Sequence, residues 1–158
     1  MLKKLTAILI LFSFALVLTS CFEPSAPKVE YKNYEVGKIS AEGIELNFYF
    51  DVENSNPLPI DVTNYTYKVY INNMELLSEN RSGFSLPASG KKKITIPVML
   101  RYVQVFGSIF AVIERVAKGE DTVPYRIEGS LTAGTLGITA SSPIKASGVI
   151  PIPKNIKL

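Results

Sequence analysis

Asp51 and Glu53 lie two residues apart, so an extended backbone puts both carboxylates on one face, with Asp61 a little further on. Three carboxylates could begin a hard-cation site. Calcium, however, takes six or more oxygens in a set geometry, and no Asp-rich loop with a glycine is present. A solvated strand face is the simpler reading, and no metal is expected. Gly129-Ser130-Leu131-Thr132-Ala133-Gly134 has the glycines of a phosphate loop but lacks the Lys-Ser or Lys-Thr that reaches the phosphates and magnesium. No nucleotide is expected. The chain has no histidine, which removes most hydrolase triads, the common zinc sites and proton switching near neutrality. With no general base poised near pH 7, the sequence offers no catalytic residue, and an enzyme is not expected. The single cysteine, Cys21, can form neither an internal disulfide nor a thiolate cluster.

Cys21 has a different use. Lys3 and Lys4 precede an apolar run, Leu5 to Leu18, interrupted by Thr6 and Ser13, and Leu18-Thr19-Ser20-Cys21 follows at once. A positive start, a short apolar run and small residues are the marks of a secretory signal; the run is short for a membrane-spanning helix. Leu18, Thr19, Ser20 and Cys21 resemble the lipobox of bacterial lipoprotein signal peptides. The resemblance implies cleavage before Cys21, a diacylglycerol thioether on its sulfur and acylation, as with palmitate, of the new amino group. Each buried methylene contributes about 0.8 kcal/mol, and two or more chains make a stable anchor. The leader holds two of the 17 basic residues and no acid, leaving fifteen basic against 14 acidic, so nothing electrostatic points to nucleic acid. Residues 1–20 thus read as a lipoprotein signal peptide. Residues 21–30, with Pro24 and Pro27, read as a lipidated tether, and residues 31–158 as one folded domain. The residue after Cys21 is Phe22, not the aspartate that resembles an inner-membrane retention signal in enteric-type bacteria.

The elements of the folded part follow from periodicity. Ile44, Leu46, Phe48, Phe50 and Val52 alternate with polar residues, the pattern of a half-buried antiparallel strand. Tyr34–Ile39 precedes it, and Ser40-Ala41-Glu42-Gly43 is expected to form a hairpin in which the glycine supplies a positive φ. Tyr65, Tyr67, Val69 and Ile71 repeat the alternation, Asn72-Asn73 turns, and Met74–Leu77 returns. Lys91–Arg101 points Ile94, Ile96, Val98 and Leu100 inward; Pro97 on its outer face places it at an edge or a bulge. Thr122–Ala133 and Ile144–Ile152 complete the strands. Between them, apolar residues from Val103 to Val116 recur at helical spacing, and Lys118-Gly119 supplies a helix end. The expected fold is all-β: an immunoglobulin/fibronectin-III-like antiparallel sandwich with one inserted helix over about 103–118.

Four stretches carry a family resemblance: Val52-Glu53-Asn54-Ser55-Asn56-Pro57, Tyr65 to Asn73, Phe84-Ser85-Leu86-Pro87-Ala88-Ser89-Gly90, and Ile94-Thr95-Ile96-Pro97-Val98. In order and spacing they resemble the late-embryogenesis-abundant type 2 family, whose domain is also called the water-stress and hypersensitive-response domain. The likeness spans about residues 31–153. The family's Asn-Pro-Asn stands here as Asn54-Ser55-Asn56-Pro57, with the first proline displaced. The resemblance implies a fibronectin-III-like sandwich with an inserted helix, desiccation or stress protection in plants, and lipoproteins in bacteria. Independently of the family, Asn54 and Asn56 are expected to satisfy backbone groups where a strand ends, and Pro57 and Pro59 to stop the ladder.

The functional expectation is a non-enzymatic envelope lipoprotein, without cofactor, that protects against desiccation by weak binding to unfolded proteins or membranes. Its membrane contact is the acylated Cys21, placed on the outer membrane facing the periplasm if the host has one, otherwise on the outer face of the plasma membrane. The competing expectation is an accessory subunit of an envelope complex that docks one partner protein. Lys91-Lys92-Lys93 fits a solvated strand entrance, or contact with anionic headgroups.

Overall fold

Alternation in β2 (Gly43–Glu53) builds the centre of the molecule: Ile44, Leu46, Phe48, Phe50 and Val52 are all buried, and the polar residues between them face outward. The structure is a computed structural model and describes residues 24–40, 42–107, 114 and 117–151. β2 pairs antiparallel on one side with β1 (Lys28–Ile39) and on the other with β5 (Lys91–Arg101), giving a three-stranded sheet of order β1-β2-β5. The second sheet has order β4-β3-β6-β7, from β3 (Ile60–Ile71), β4 (Met74–Leu86), β6 (Thr122–Thr135) and β7 (Ile138–Pro151). The inner faces of the two sheets share one core, in which Phe48, Phe50, Ile96 and Leu46 meet Tyr67, Ile127, Leu131 and Ile144. This is the expected antiparallel sandwich of the immunoglobulin/fibronectin-III type.

Bulges keep the core faces continuous. β3 buries Ile60 and Val62, then Tyr67, Val69 and Ile71, so its inward positions switch from even to odd. The register with β6 slips at that point, between Val62 and Asn64, which is how one extra residue turns a strand's face over. A slip between Tyr31 and Asn33 does the same in β1, leaving Tyr31 and Tyr34 both against the core. Tyr34 meets Phe48 at 5.6 Å and Tyr125 at 5.7 Å, and the Tyr31 and Tyr125 hydroxyls share a hydrogen bond of 2.9 Å. The Tyr34 hydroxyl donates to the Val149 carbonyl at 3.2 Å, so β1 is fastened to β7 and this side of the sandwich is closed. The opposite side, between edge strands β4 and β5, is joined more loosely.

Several expectations change at the loops. The expected tether, residues 21–30, is shorter in the structure, because β1 begins at Lys28, where it pairs with Glu53. Gly43 does not take a positive φ; it is the first residue of β2, where any side chain would strike the Leu100 carbonyl oxygen at 2.1 Å. Close approach, not turn geometry, requires glycine there. The Asn72-Asn73 turn is as expected, with φ of 50° and 64°. A second left-handed hairpin, Leu136-Gly137, lies outside the expected pattern and lets β7 begin at Ile138, before the expected Ile144. In place of one helix over 103–118, α1 (Tyr102–Phe106) ends at Gly107, whose φ of 68° closes the turn onto the Val103 carbonyl. Glu114 and Ala117 are helical and Gly119 takes φ 81°, as a helix end requires. Residues 108–113, 115 and 116, with most of the expected apolar stripe, lie outside the described residues, as does Ile152.

Two predictions test this core. Phe48→Ala should cost about 3–5 kcal/mol in denaturant unfolding, because a fully buried ring is removed from between Tyr34 and Tyr125. Tyr49→Ala, on the outer face, should cost much less; equal losses would mean that the faces of β2 are reversed. The second concerns alkali. Burial pushes the Tyr67 phenol up to about 12 and raises those of Tyr102 and Tyr125. Above about pH 10 the unfolded chain therefore releases protons that the folded protein keeps, so stability is intact below that pH and falls as it rises toward 12. A fraction of the phenolate absorbance should emerge only together with loss of the circular-dichroism signal. Smooth ionisation of all eight tyrosines without unfolding would contradict the burial.

Candidate functional site

At one end of the sandwich, three stretches converge: the segment Pro24–Pro27 before β1, the β2–β3 loop and the β4–β5 loop. Leaving β2, Asn54 and Asn56 turn inward and are buried, at 0% and 3% exposure. A buried primary amide has two donors and two acceptor positions to satisfy. The Asn54 amide nitrogen donates to the carbonyls of Leu58 and Pro87, each at 2.9 Å. Its oxygen accepts the Asn56 backbone N–H at 3.0 Å and the Asn56 amide at 2.8 Å. The second donor of Asn56 goes to the Ser25 carbonyl at 2.9 Å, and its oxygen accepts from the Ser25 N–H at 2.8 Å and hydroxyl at 3.1 Å. Every position on both side chains is used.

Backbone bonds complete the knot. Asn54 N–H donates to the Gly90 carbonyl at 2.8 Å and Ser89 N–H to the Asn56 carbonyl at 3.0 Å, while Gly90 N–H closes a turn onto Pro87 at 3.1 Å. Pro27 is buried, and its carbonyl accepts from the buried Ser142 hydroxyl on β7. Pro57 is exposed at the head of the loop. Leu18, Thr19, Ser20 and Cys21 lie outside the described residues. Ser25, Pro27 and Ser142 are the partners that the sequence did not single out. Ser25 sits among prolines and reads as tether, and its mate Asn56 is 31 residues away.

The charged groups weighed above for chemistry are separated. Asp51 pairs with Lys32 at 3.5 Å and Glu53 with Lys91 at 3.1 Å, while Asp61 is exposed on β3. Among the described residues, no three metal-binding side chains converge. Of the lysine run, Lys92 lies over the Phe84 ring at 4.5 Å and Lys93 over that of Tyr49 at 5.5 Å. These lysines lie along aromatic surface beside the strand entrance.

The open side of the sandwich holds a groove of about 580 Å³. Leu76 and Leu77 of β4 and Val98 and Met99 of β5 give it apolar surface; Glu45, Glu79, Arg81 and Arg101 add charge. Glu79 is held in place: it accepts from the buried Tyr67 hydroxyl at 2.8 Å and pairs with Arg81 at 2.5 Å. Among the described residues, no helix is long and apolar enough to cross a membrane.

The amide knot makes its own prediction. Asn56→Ala frees the exposed Ser25, whose partners water can replace, and leaves one acceptor position of the buried Asn54 oxygen unfilled, at about 1–3 kcal/mol. Unfolding should shift accordingly, and trypsin should cut after Lys28 well before global unfolding. Pro57→Ala should shift stability by less than about 1 kcal/mol. An Asn56→Ala protein as stable and as resistant as the parent would show that the knot holds nothing.

A search of curated proteins returns no match. Among solved structures, the solution structure of a late embryogenesis abundant (LEA) protein is similar at a TM-score of 0.62 and 16% identity, covering 98% of this chain and 88% of that one. The solution structure of an Arabidopsis thaliana protein gives 0.60 at 18% identity, covering 86% and 88%. A crystal structure of a protein from Archaeoglobus fulgidus gives 0.52 at 13%, covering 83% and 98%. At these identities the likeness is one of fold. The family itself rests on the sequence: the model for late embryogenesis abundant protein matches residues 49–148, from the middle of β2 into β7 and across the whole amide-knot loop. This chain belongs to the late embryogenesis abundant family of the LEA_2 type.

Proposed function

We propose that this protein is a non-enzymatic, lipid-anchored component of the cell envelope that holds partly unfolded polypeptides through weak contacts during water stress. The observation that carries the reading is the groove between β4 and β5. Among the described residues both are outer strands of their sheets, so there each has backbone N–H and C=O groups without a ladder partner beside the apolar residues Leu76, Leu77 and Met99. An extended segment of an unfolding protein supplies complementary backbone groups and apolar side chains to such an edge. Holding of this kind needs shape and edges alone, with no turnover, cofactor, metal or nucleotide. Membership of the late embryogenesis abundant family supports the link to stress, and the lipobox-like Leu18-Thr19-Ser20-Cys21 supports the anchor. Anchoring of this type places the domain on the periplasmic side of an outer membrane, or outside the plasma membrane where the host has no outer one.

The test is protection of an unrelated enzyme against aggregation on heating or drying. The mature chain with Cys21→Ser should slow aggregation at stoichiometric ratios, unchanged by a metal chelator, and better than a matched mass of albumin. Met99→Lys, a change at an exposed position on the groove wall, should lose most of the protection while keeping the parent's stability. If albumin protects equally, general holding is ruled out. Specific docking of one envelope partner, sought by pull-down from envelope extracts, then becomes the reading to pursue.

A further inference from the structure

We infer that the end of the sandwich carrying the amide knot lies on the bilayer surface, with the exposed Leu136–Ile138 hairpin set into the interface and the Asn72-Asn73 end pointing away. This rests on the lipid anchor proposed for Cys21 and goes beyond it, since an anchor by itself permits any orientation. Chain length restricts the orientation. Ser25 is fixed to Asn56 by three hydrogen bonds, and only four residue steps separate it from Cys21. Even fully extended, four steps span at most about 14 Å. A lipidated Cys21 therefore holds this end of the domain within about 14 Å of the headgroups.

The same end also exposes apolar surface. Pairing of Asp61 with Gly134 and of Thr135 with Ile138 puts the β6–β7 hairpin at the same end as the β2–β3 loop, and Pro24, Ser25 and Pro27 line one small cavity together with Ile138. Leu136 at its tip is 79% exposed, the most exposed large apolar side chain among the described residues, and Ile138 is 48% exposed. Leu136 also holds a φ of 50°, which presents a bulky side chain in a conformation that favours glycine or asparagine. Lys28 and Lys91 flank this end, but each faces an acid, Glu30 and Glu53. Leu136 and Ile138 thus give this end apolar contact for the acyl boundary; Val103, Ile39 and Met74 are exposed at the far end too, so the short tether, and not exposure, decides between the ends. The far end carries Ser40 and Glu42, α1 and the Asn72-Asn73 turn; β3 alone runs 12 residues, so the two ends are about 35 Å or more apart.

The experiment uses the full lipidated chain on phosphatidylethanolamine–phosphatidylglycerol vesicles. A lipidated Cys21 carries no free thiol, so Leu136→Cys or Met74→Cys supplies a unique one for an environment-sensitive fluorophore. The label at 136 should be quenched several-fold more by spin-labelled lipid than by an aqueous quencher, and the label at 74 the reverse. Flotation with the vesicles, against a Cys21→Ser control that should not float, reports the anchor separately. If the chain floats but both labels answer only to the aqueous quencher, the orientation is wrong and the anchor stands. A label at 136 shielded from both quenchers means that protein, not lipid, covers the hairpin, which also overturns the inference. A chain that does not float, or a control that does, removes the anchor and the orientation with it.

Discussion

Two buried amides hold the end of this sandwich together. A strand that leaves one sheet and crosses to the other exposes backbone groups at the crossing, and burying them unpaired costs about 1–3 kcal/mol each. Asn54 and Asn56 remove that cost for three segments at once, because each amide has four hydrogen-bonding positions and all eight are filled. The crossing from β2 to β3, the crossing from β4 to β5 and the approach to β1 are thereby one unit. The arrangement has no slack: an apolar replacement for either amide would orphan partners on a different segment. The start of the fold at Ser25, ahead of β1, and the short reach to Cys21 both follow from it.

Much of this is legible in the residues, and the exceptions have physical reasons. The faces of β2 and β5 can be read directly, since five and four apolar positions at period two admit one inward face. The faces of β3 cannot be read through its start, because a bulge between Val62 and Asn64 reverses the alternation and no single residue type marks it. Gly43 reads as a turn glycine because it follows Ser40-Ala41-Glu42, whereas its cause is the Leu100 carbonyl, 57 positions away in the chain and adjacent in the sheet. Leu136-Gly137 hides a tight turn because leucine is a poor left-handed residue. Gly107 ends α1 inside an apolar run whose spacing still looks helical. At the knot, Asn54 and Asn56 show as loop residues, but their partner Ser25 does not, because hydrogen bonds across 31 residues leave no local pattern.

The two sides and two ends of the sandwich divide the proposed work. β1 closes one side with tyrosine hydrogen bonds to β6 and β7, and among the described residues β4 and β5 leave the other open as a groove. The knot end faces the chain that leads to Cys21, and the opposite end carries α1. A domain held by its knot end would thus present the open groove sideways along the membrane, within reach of proteins that lose structure near it. Family membership sets the stress context; the edges and the tether length set how this chain would act within it.

The central claim is that Ser25, Asn54 and Asn56 belong to one cooperative unit, and native-state hydrogen exchange of their backbone amides addresses it most directly. The Ser25 amide is bonded to Asn56, that of Asn56 to Asn54, and that of Asn54 to Gly90. The account predicts strong protection at all three, with a common opening free energy and the same dependence on denaturant. A Ser25 amide that exchanges at the rate of an unstructured peptide while Asn54 stays protected would contradict it. The fold would then begin at β1, and the tether would regain the slack that the knot denies it.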